Sequence, residues 1–432
     1  MKVLIVSYYW PPSGGSGVQR WLYFTRHLKN LGVQTEVVTI DPDEAAYSVI
    51  DNSLTQLVDD ISTHKTKGGF QLLKLYSFLK SGNSKSSIPV GNLGNKKKST
   101  FDTVASQIRA NLFIPDSRVG WNKQALPIIK DLISKNKFDY IITTGPPHST
   151  HLIGLEIQKE FGIKWLADFR DPWREVYYNT LFKKTKWADK KDKKLESEVL
   201  QKADIVLTVG PSMAELLQNK LSSNKRKVKF ILNGFDETKF SAINGTRYPE
   251  FTIAHIGLWS LNQAHSEIVE ALKTLLSENS NVKIRFVLVG NVAPEIIQEL
   301  EQIPHLILDT KGKVSHEEAL TEMLNADLLL NCLAILPNSK LLISGKLMEY
   351  LASGNQTIVI GPTDGDAAKI MSKVENAFIF EPNDVNNLTS KIKQLYNLPR
   401  KEIKLSSTIN NYSRENTAKE LYELLQSNLL SK

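Results

Sequence analysis

The chain reads as an α/β protein built from two doubly wound parallel sheets, and three features of its 432 residues say so. Short apolar strand-like runs alternate with amphipathic helix-like runs in both halves, the pattern of parallel sheets covered on both faces. The length exceeds what one ordinary core holds, so two domains of roughly 200 residues are expected. A glycine-rich turn, Ser13-Gly14-Gly15-Ser16-Gly17, joins the first strand to the first helix. Backbone N–H groups and the helix dipole at such a turn favour an anionic or polyhydroxyl ligand.

The strands of the first half are expected at 2–7, 34–40, 140–144, 164–169, 205–209 and 228–232. Those of the second half are expected at 252–256, 283–289, 305–308, 328–331, 357–360 and 377–380. Residues 41–120 break the rhythm as an insertion, in which 68–80 reads as an amphipathic helix and 81–100 as a loop. Turn residues gather after Asn233-Gly234-Phe235-Asp236, and the αβ rhythm stops at Leu398-Pro399. The expected division is therefore 1–245, 246–405 and a tail of 406–432 that is helix-patterned from about 414.

Net charge is 54 − 46 = +8, and it is clustered. The stretch 183–194 holds seven lysines and two aspartates around Trp187, and Lys96-Lys97-Lys98 forms a second island. A solvated helix face and a loop account for this, as does contact with anionic lipid headgroups. No recognition motif accompanies the charge, so nucleic acid is not expected as a partner. The single cysteine, Cys332, excludes an internal disulfide and fits a reducing compartment. The N-terminal run does not read as a signal peptide, and no apolar run approaches the roughly 18 residues of a membrane span.

In parallel sheets ligands bind beyond the carboxyl ends of the strands. The first such end carries Gly14, Gly15, Ser16 and Gly17. A dinucleotide fingerprint is disfavoured there, because eight residues including two prolines separate Val6 from Gly15. After 140–144 comes Gly145-Pro146-Pro147-His148, which opens a helix at about Ser149. The dipole should keep the His148 imidazole neutral, able to hydrogen-bond a hydroxyl or act as a base. His151 is expected to pack or cap. Asp168-Phe169-Arg170-Asp171 closes the next strand, so Asp168 and Asp171 are candidate catalytic carboxylates, with an internal Asp–Arg pair as the plainer alternative. These residues make a poor metal site, and none is expected.

In the second half, Gly345 and Lys346 stand at a helix start, suited to a diphosphate. Glu349 follows three residues later on a similar face, and its carboxylate can accept from both hydroxyls of a ribose. An exposed Lys346–Glu349 ion pair is the simpler account of the same spacing. Asp366 and Ala367 open another helix after the strand at 357–360.

Taken together, the loop PPSGGSGVQRW, the strand ends TTGPPHSTHL and ADFRDPW, the NGFD turn and the helix SGKLMEYLASG resemble the retaining glycosyltransferase family 4. The resemblance implies a GT-B fold, with two Rossmann-like domains facing a cleft and a C-terminal helix crossing back to the N-terminal domain. It implies an acceptor-side first domain and a donor-side second domain. It also implies a nucleotide-diphosphate sugar as donor substrate, a glycan or lipid-linked acceptor, no cofactor or essential metal, and action at the cytoplasmic membrane. The chain departs from the family pattern at three positions. Leu341 stands where the first glutamate of an E-x7-E signature would be, leaving Glu349 as the second. Leu258 and Gln263 stand where an arginine and a lysine are expected after the first strand of the donor domain. Neutralising the diphosphate then falls to Lys346, helped by the helix start at 364–368. A nucleotide-sugar epimerase and a noncatalytic nucleotide- or glycan-binding protein remain alternatives on the same architecture.

Overall fold

The computed structural model describes residues 1–69, 107, 110–176, 179, 184–241, 243, 245–278, 282–400 and 407–430. Most of the expected 68–80 helix, the 81–100 loop with its three lysines, and Lys183 lie outside the described residues. The chain divides into two compact units: Met1–Leu232 with Thr417–Lys432, and Asn233–Asn416.

The sheet of the first unit has seven parallel strands: β1 (Lys2–Val6), β2 (Gln34–Ile40), β3 (Ser62–Thr66), β4 (Tyr140–Gly145), β5 (Lys164–Phe169), β6 (Ile205–Thr208) and β7 (Val228–Phe230). Their order is β3-β2-β1-β4-β5-β6-β7. The helices between them are α1 (Ser16–Asn30), α2 (Asn122–Lys135), α3 (Thr150–Phe161), α4 (Lys186–Lys202) and α5 (Pro211–Asn219). Central strands are buried almost throughout, as their Val/Ile/Leu runs require when helices cover both faces. The edge strand β3 was not expected from sequence. Its residues, Ser62-Thr63-His64-Lys65-Thr66, carry no apolar signal, and parallel pairing with Glu36–Ile40 of β2 defines it instead.

The second unit opens with α6 (Glu237–Ser241). Its sheet follows: β8 (Phe251–Ile256), β9 (Ile284–Val289), β10 (Leu306–Gly312), β11 (Leu328–Cys332), β12 (Gln356–Ile360) and β13 (Ala377–Phe380). These six strands are also all parallel, in the order β10-β9-β8-β11-β12-β13. Its further helices are α7 (Ser266–Glu278), α8 (Pro294–Glu301), α9 (His316–Asn325), α10 (Gly345–Ala352), α11 (Asp366–Met371), α12 (Val385–Tyr396) and α13 (Ser407–Asn410). A capping box fixes the start of α9, with Ser315 accepting from the Glu318 N–H and Glu318 accepting from the Ser315 N–H.

The last helix, α14 (Arg414–Leu430), buries Ala418, Leu421 and Leu425 in the apolar core of the first unit. The Tyr140 hydroxyl donates to the Leu425 carbonyl at 3.1 Å and to Asn428 Oδ1 at 2.8 Å, tying the tail to β4.

Each sheet reverses its winding once, between β1 and β4 in the first unit and between β8 and β11 in the second. Helices leave opposite faces of the sheet at such a point, opening a crevice at the carboxyl ends of the two strands. Gly14–Gly17 and His148 fall at the first of these places and Gly345, Lys346 and Glu349 at the second, while Asp168 and Asp171 follow β5 and Asp366 and Ala367 follow β12.

Candidate functional site

At the switch point of the first unit, the glycine loop and the β4 end lie side by side and Arg170 links them. Its guanidinium donates to the carbonyls of Gly17, Pro146 and Gly145. Gly14 is fixed by its N–H to the Val49 carbonyl at 2.9 Å, and Gly15 takes φ +89°, which a side chain disfavours. Ser16 and Gly17 form the first turn of α1.

The strand-end carboxylates differ from one another. Asp168 is fully buried and accepts from Arg20 Nε at 3.1 Å, Trp21 Nε1 at 2.6 Å and Thr144 Oγ1 at 2.9 Å. Arg20 is itself buried and continues to the carbonyls of Ile231 and Thr208. The arrangement is the internal Asp–Arg pair weighed as an alternative, with Arg20 rather than Arg170 as the partner. It fastens α1 to the ends of β4, β5 and β6. Asp171, three residues on, is exposed.

His148 is buried, stacked on Trp173 with ring centroids 5.1 Å apart, and neither ring nitrogen makes a well-formed hydrogen bond. Burial, with the nearby cations Arg170, Lys220 and Lys184, pushes its pKa down to about 3. The imidazole is neutral as expected, but desolvation and these charges are the cause rather than the helix dipole alone. His151 stacks on Phe169 and pairs through Nδ1 with Thr143 Oγ1 at 2.8 Å, which is a packing role. Gly145 is what lets both rings in: a Cβ there would lie 2.8 Å from His148 Nδ1 and 2.7 Å from His151 Nε2. The helix start behind His148 is held by Asp116, which accepts from the Ser149 N–H and hydroxyl, both at 2.8 Å. Nothing in the sequence marked Asp116, since it lies in the insertion far from this turn.

At the switch point of the second unit, α10 begins beyond β11 and sends Lys346 across to the end of β8. Its ammonium lies 2.9 Å from His255 Nε2 and 3.4 Å from the Leu258 carbonyl oxygen. Burial lowers its pKa to about 8. Among the described residues no carboxylate pairs with it. Glu349 does not take that role: its Oε1 lies 3.7 Å from His316 Nε2 on α9, so the simple Lys346–Glu349 pair does not form. Burial raises the Glu349 pKa, opposed by the charges of Arg414 and Lys239. Gly345 is exposed at the start of α10. Asp366 and Ala367, in contrast, are buried, with Asp366 3.4 Å from Lys369. Their side chains belong to the interior rather than to an open surface.

Sequence reading did not single out His255 or His316. His255 is one polar residue inside the apolar strand Phe-Thr-Ile-Ala-His-Ile, and His316 is one member of a polar helix start. Only tertiary contact gives either a partner of interest. Among the described residues no group of three or more His, Cys, Asp or Glu side chains is placed to hold a metal ion.

Comparison with known proteins bears on the same region. Residues 250–397 match the family model described as glycosyl transferases group 1. Among solved structures, a glycosyltransferase from Rickettsia africae ESF-5 superposes with TM-score 0.63 at 16% identity, covering 99% of this chain and 98% of that one. The apo form of the lipopolysaccharide outer core galactosyltransferase WaaB gives 0.58 at 12%, covering 99% of both chains. A putative UDP-N-acetylglucosamine 2-epimerase from Listeria monocytogenes gives 0.54 at 11%, covering 100% of this chain and 97% of that one. At such identities these likenesses speak to the fold alone. No curated protein matches the chain by sequence. The chain thus has the two Rossmann-like units of the GT-B glycosyltransferase fold, and its residues 250–397 match the glycosyl transferases group 1 family.

Proposed function

We propose that this protein transfers a glycosyl group, with retention of configuration, from a nucleotide-diphosphate sugar to a glycan or lipid-linked acceptor in cell-surface polysaccharide or glycoconjugate synthesis. One observation carries the reading. Lys346 is a cation without a carboxylate partner among the described residues, set at the switch point of the domain that matches glycosyl transferases. A diphosphate supplies the charge that this ammonium lacks, and the N-terminus of α10 adds backbone N–H groups from Gly345 onward. Glu349, one turn along, then accepts from the ribose diol.

During transfer the bond between the sugar and the diphosphate breaks and its electron pair leaves with the diphosphate. Lys346 and the start of α10 stabilise that growing charge, which is where a fixed cation does most for the rate. The acceptor hydroxyl oxygen forms the new bond to the sugar, and its proton passes to the departing diphosphate oxygen. On the first unit, His148 remains neutral and keeps its ring nitrogens for a hydroxyl of the acceptor, which this reading places near the loop Gly14–Gly17. Asp168 serves by holding this frame together.

The reading includes peripheral contact with an anionic membrane at its inner face. Along α4, Lys186, Lys190, Lys191, Lys193 and Lys194 are exposed, and Trp187 is 60% exposed. The two aspartates of this run are engaged elsewhere: Asp192 is buried with Lys184 and Trp173, and Asp189 accepts from Arg174. Apart from Asp189, whose charge Arg174 offsets, what remains outward is basic and aromatic, which suits lipid headgroups. No helix among the described residues is long and apolar enough to cross a membrane.

The test is sugar transfer from a panel of nucleotide sugars by wild type, Lys346→Ala and Glu349→Ala. Both variants should lose transfer while keeping the wild-type circular dichroism spectrum. Full activity in both removes the site assignment. A product isomeric with the donor, formed without acceptor, identifies an epimerase instead. Tight donor binding with no turnover identifies a binding protein.

A further inference from the structure

The turn that follows β8, Gly257-Leu258-Trp259-Ser260-Leu261-Asn262-Gln263, contains no lysine or arginine. The cation at this turn arrives from elsewhere in the chain, as Lys346 from α10. A lysine on a four-carbon stem has many rotamers, and fixing one needs an acceptor at the right place. The structure supplies that acceptor in His255.

His255 is fully buried at the end of β8, its ring stacked on Trp259 with centroids 4.5 Å apart and planes 18° from parallel. Trp259 is itself buried and held by its indole N–H to the Ala264 carbonyl at 3.1 Å and its backbone N–H to the Asn291 carbonyl at 2.9 Å. The imidazole therefore has a rigid wall behind it. An ammonium has no lone pair, so at 2.9 Å it is Lys346 that donates and His255 Nε2 that accepts. Burial and the Lys346 charge hold the His255 pKa well below its ordinary value, which keeps that lone pair available. Gly257 completes the arrangement. It takes φ +112°, and a Cβ there would stand 3.6 Å from Lys346 Nζ.

We propose that His255 is a positioning residue for Lys346: its Nε2 lone pair aims a single ammonium at the open side of the Gly257 turn, where it serves as the diphosphate contact of the nucleotide donor. The inference rests on the reading of Lys346 given above and goes past it by assigning a role to a residue that touches no ligand. Pre-orienting the ammonium lowers the rotamer entropy lost when the anion binds, and a hydrogen bond to a charged group is the stronger kind.

The experiment is calorimetric titration of the full chain with UDP, GDP and ADP, and with uridine, guanosine and adenosine, in four variants. His255→Phe keeps a ring against Trp259 and removes the acceptor, with His255→Leu as the second choice should Phe prove too large. His255→Gln keeps an acceptor, and Lys346→Ala removes the cation. For whichever diphosphate binds, His255→Phe should weaken affinity by about tenfold and His255→Gln by no more than about threefold. The matching nucleoside should bind all four variants as it binds wild type. The double variant His255→Phe/Lys346→Ala should be no weaker than Lys346→Ala alone, because the histidine acts only through the lysine.

His255→Phe binding like wild type, while Lys346→Ala is weakened, overturns the inference and leaves the Lys346 reading standing. Additive losses in the double variant, or equal losses for nucleoside and diphosphate, also overturn it, since they describe an independent or merely structural role. Unchanged diphosphate affinity in Lys346→Ala, or no binding of any of the three diphosphates, removes the Lys346 reading and this inference with it.

Discussion

Asp168→Asn changes one atom and removes one buried charge, so it isolates what the strand-end carboxylate does. In the native unit the Asp168 side chain is 0% exposed and that of Arg20 is 1% exposed. The carboxylate accepts three hydrogen bonds, from Arg20, Trp21 and Thr144. An asparagine has the same shape, but it removes the main countercharge of the buried Arg20 guanidinium and leaves only the weaker attraction of Glu420. Its amide group also replaces one acceptor with a donor. Breaking a buried pair in this one-sided way costs about 3–5 kcal/mol. With a slope of roughly 2–3 kcal/mol per molar urea, the midpoint falls by about 1–2.5 M. The readout is direct, because six of the seven tryptophans (10, 21, 121, 165, 173 and 187) lie in the first unit and report its unfolding by fluorescence. Arg20→Gln added to Asp168→Asn should recover part of the loss, since no charge is then left unpaired. A loss below about 1 kcal/mol for Asp168→Asn would refute the reasoning, because it would mean that the pair is not held in a dry site.

Lys346, with its pKa lowered to about 8, should bind diphosphate best while protonated. Affinity for the diphosphate should therefore be full at pH 7 and about tenfold weaker at pH 9, and Lys346→Ala should flatten the titration. His148 is depressed in the folded state, so its contribution to stability is present above pH 6.5 and is lost as pH falls toward 3. Urea unfolding of His148→Asn should show a loss between pH 7 and pH 5 that is about 2 kcal/mol smaller than that of wild type; equal losses would place His148 outside the acid response. Replacing Lys190, Lys191, Lys193 and Lys194 by Gln should reduce sedimentation with anionic vesicles at low salt and leave neutral vesicles unaffected. Wild type that partitions equally onto both kinds of vesicle would remove the electrostatic contribution.

Much of the candidate site was legible as short segments and little of it as contacts. Glycine turns and helix starts after apolar strands place Gly14–Gly17, His148, Gly345 and Lys346 at strand ends, because backbone direction alone puts them there. Which of these side chains face outward was not legible. Asp168 and Asp171 stand in one short segment of similar chemistry, yet one is sealed by Arg20 and Trp21 from a helix 147 or more residues away and the other is exposed. Lys346 and Glu349 have the spacing of an ion pair, but each finds a histidine from another element.

The alternation of apolar strands with amphipathic helices determined two parallel sheets, since short apolar runs such as Val3-Leu4-Ile5-Val6, flanked by helices, are buried between two helical layers. The same logic located the tail helix, whose period is written in its own residues. Tertiary structure alone decided the strand order, and with it the two switch points, because every parallel strand carries the same local pattern whatever its neighbours. It also decided that a polar edge strand exists at Ser62–Thr66, where pairing with β2 supplies what side-chain pattern does not. Finally, it decided that the cation at the β8 turn is Lys346 with His255 behind it, residues 91 apart in the chain. Local sequence sets the direction of each element and its apolar face, while the burial of polar strand-end residues and the partnership between distant side chains depend on how the strands are ordered.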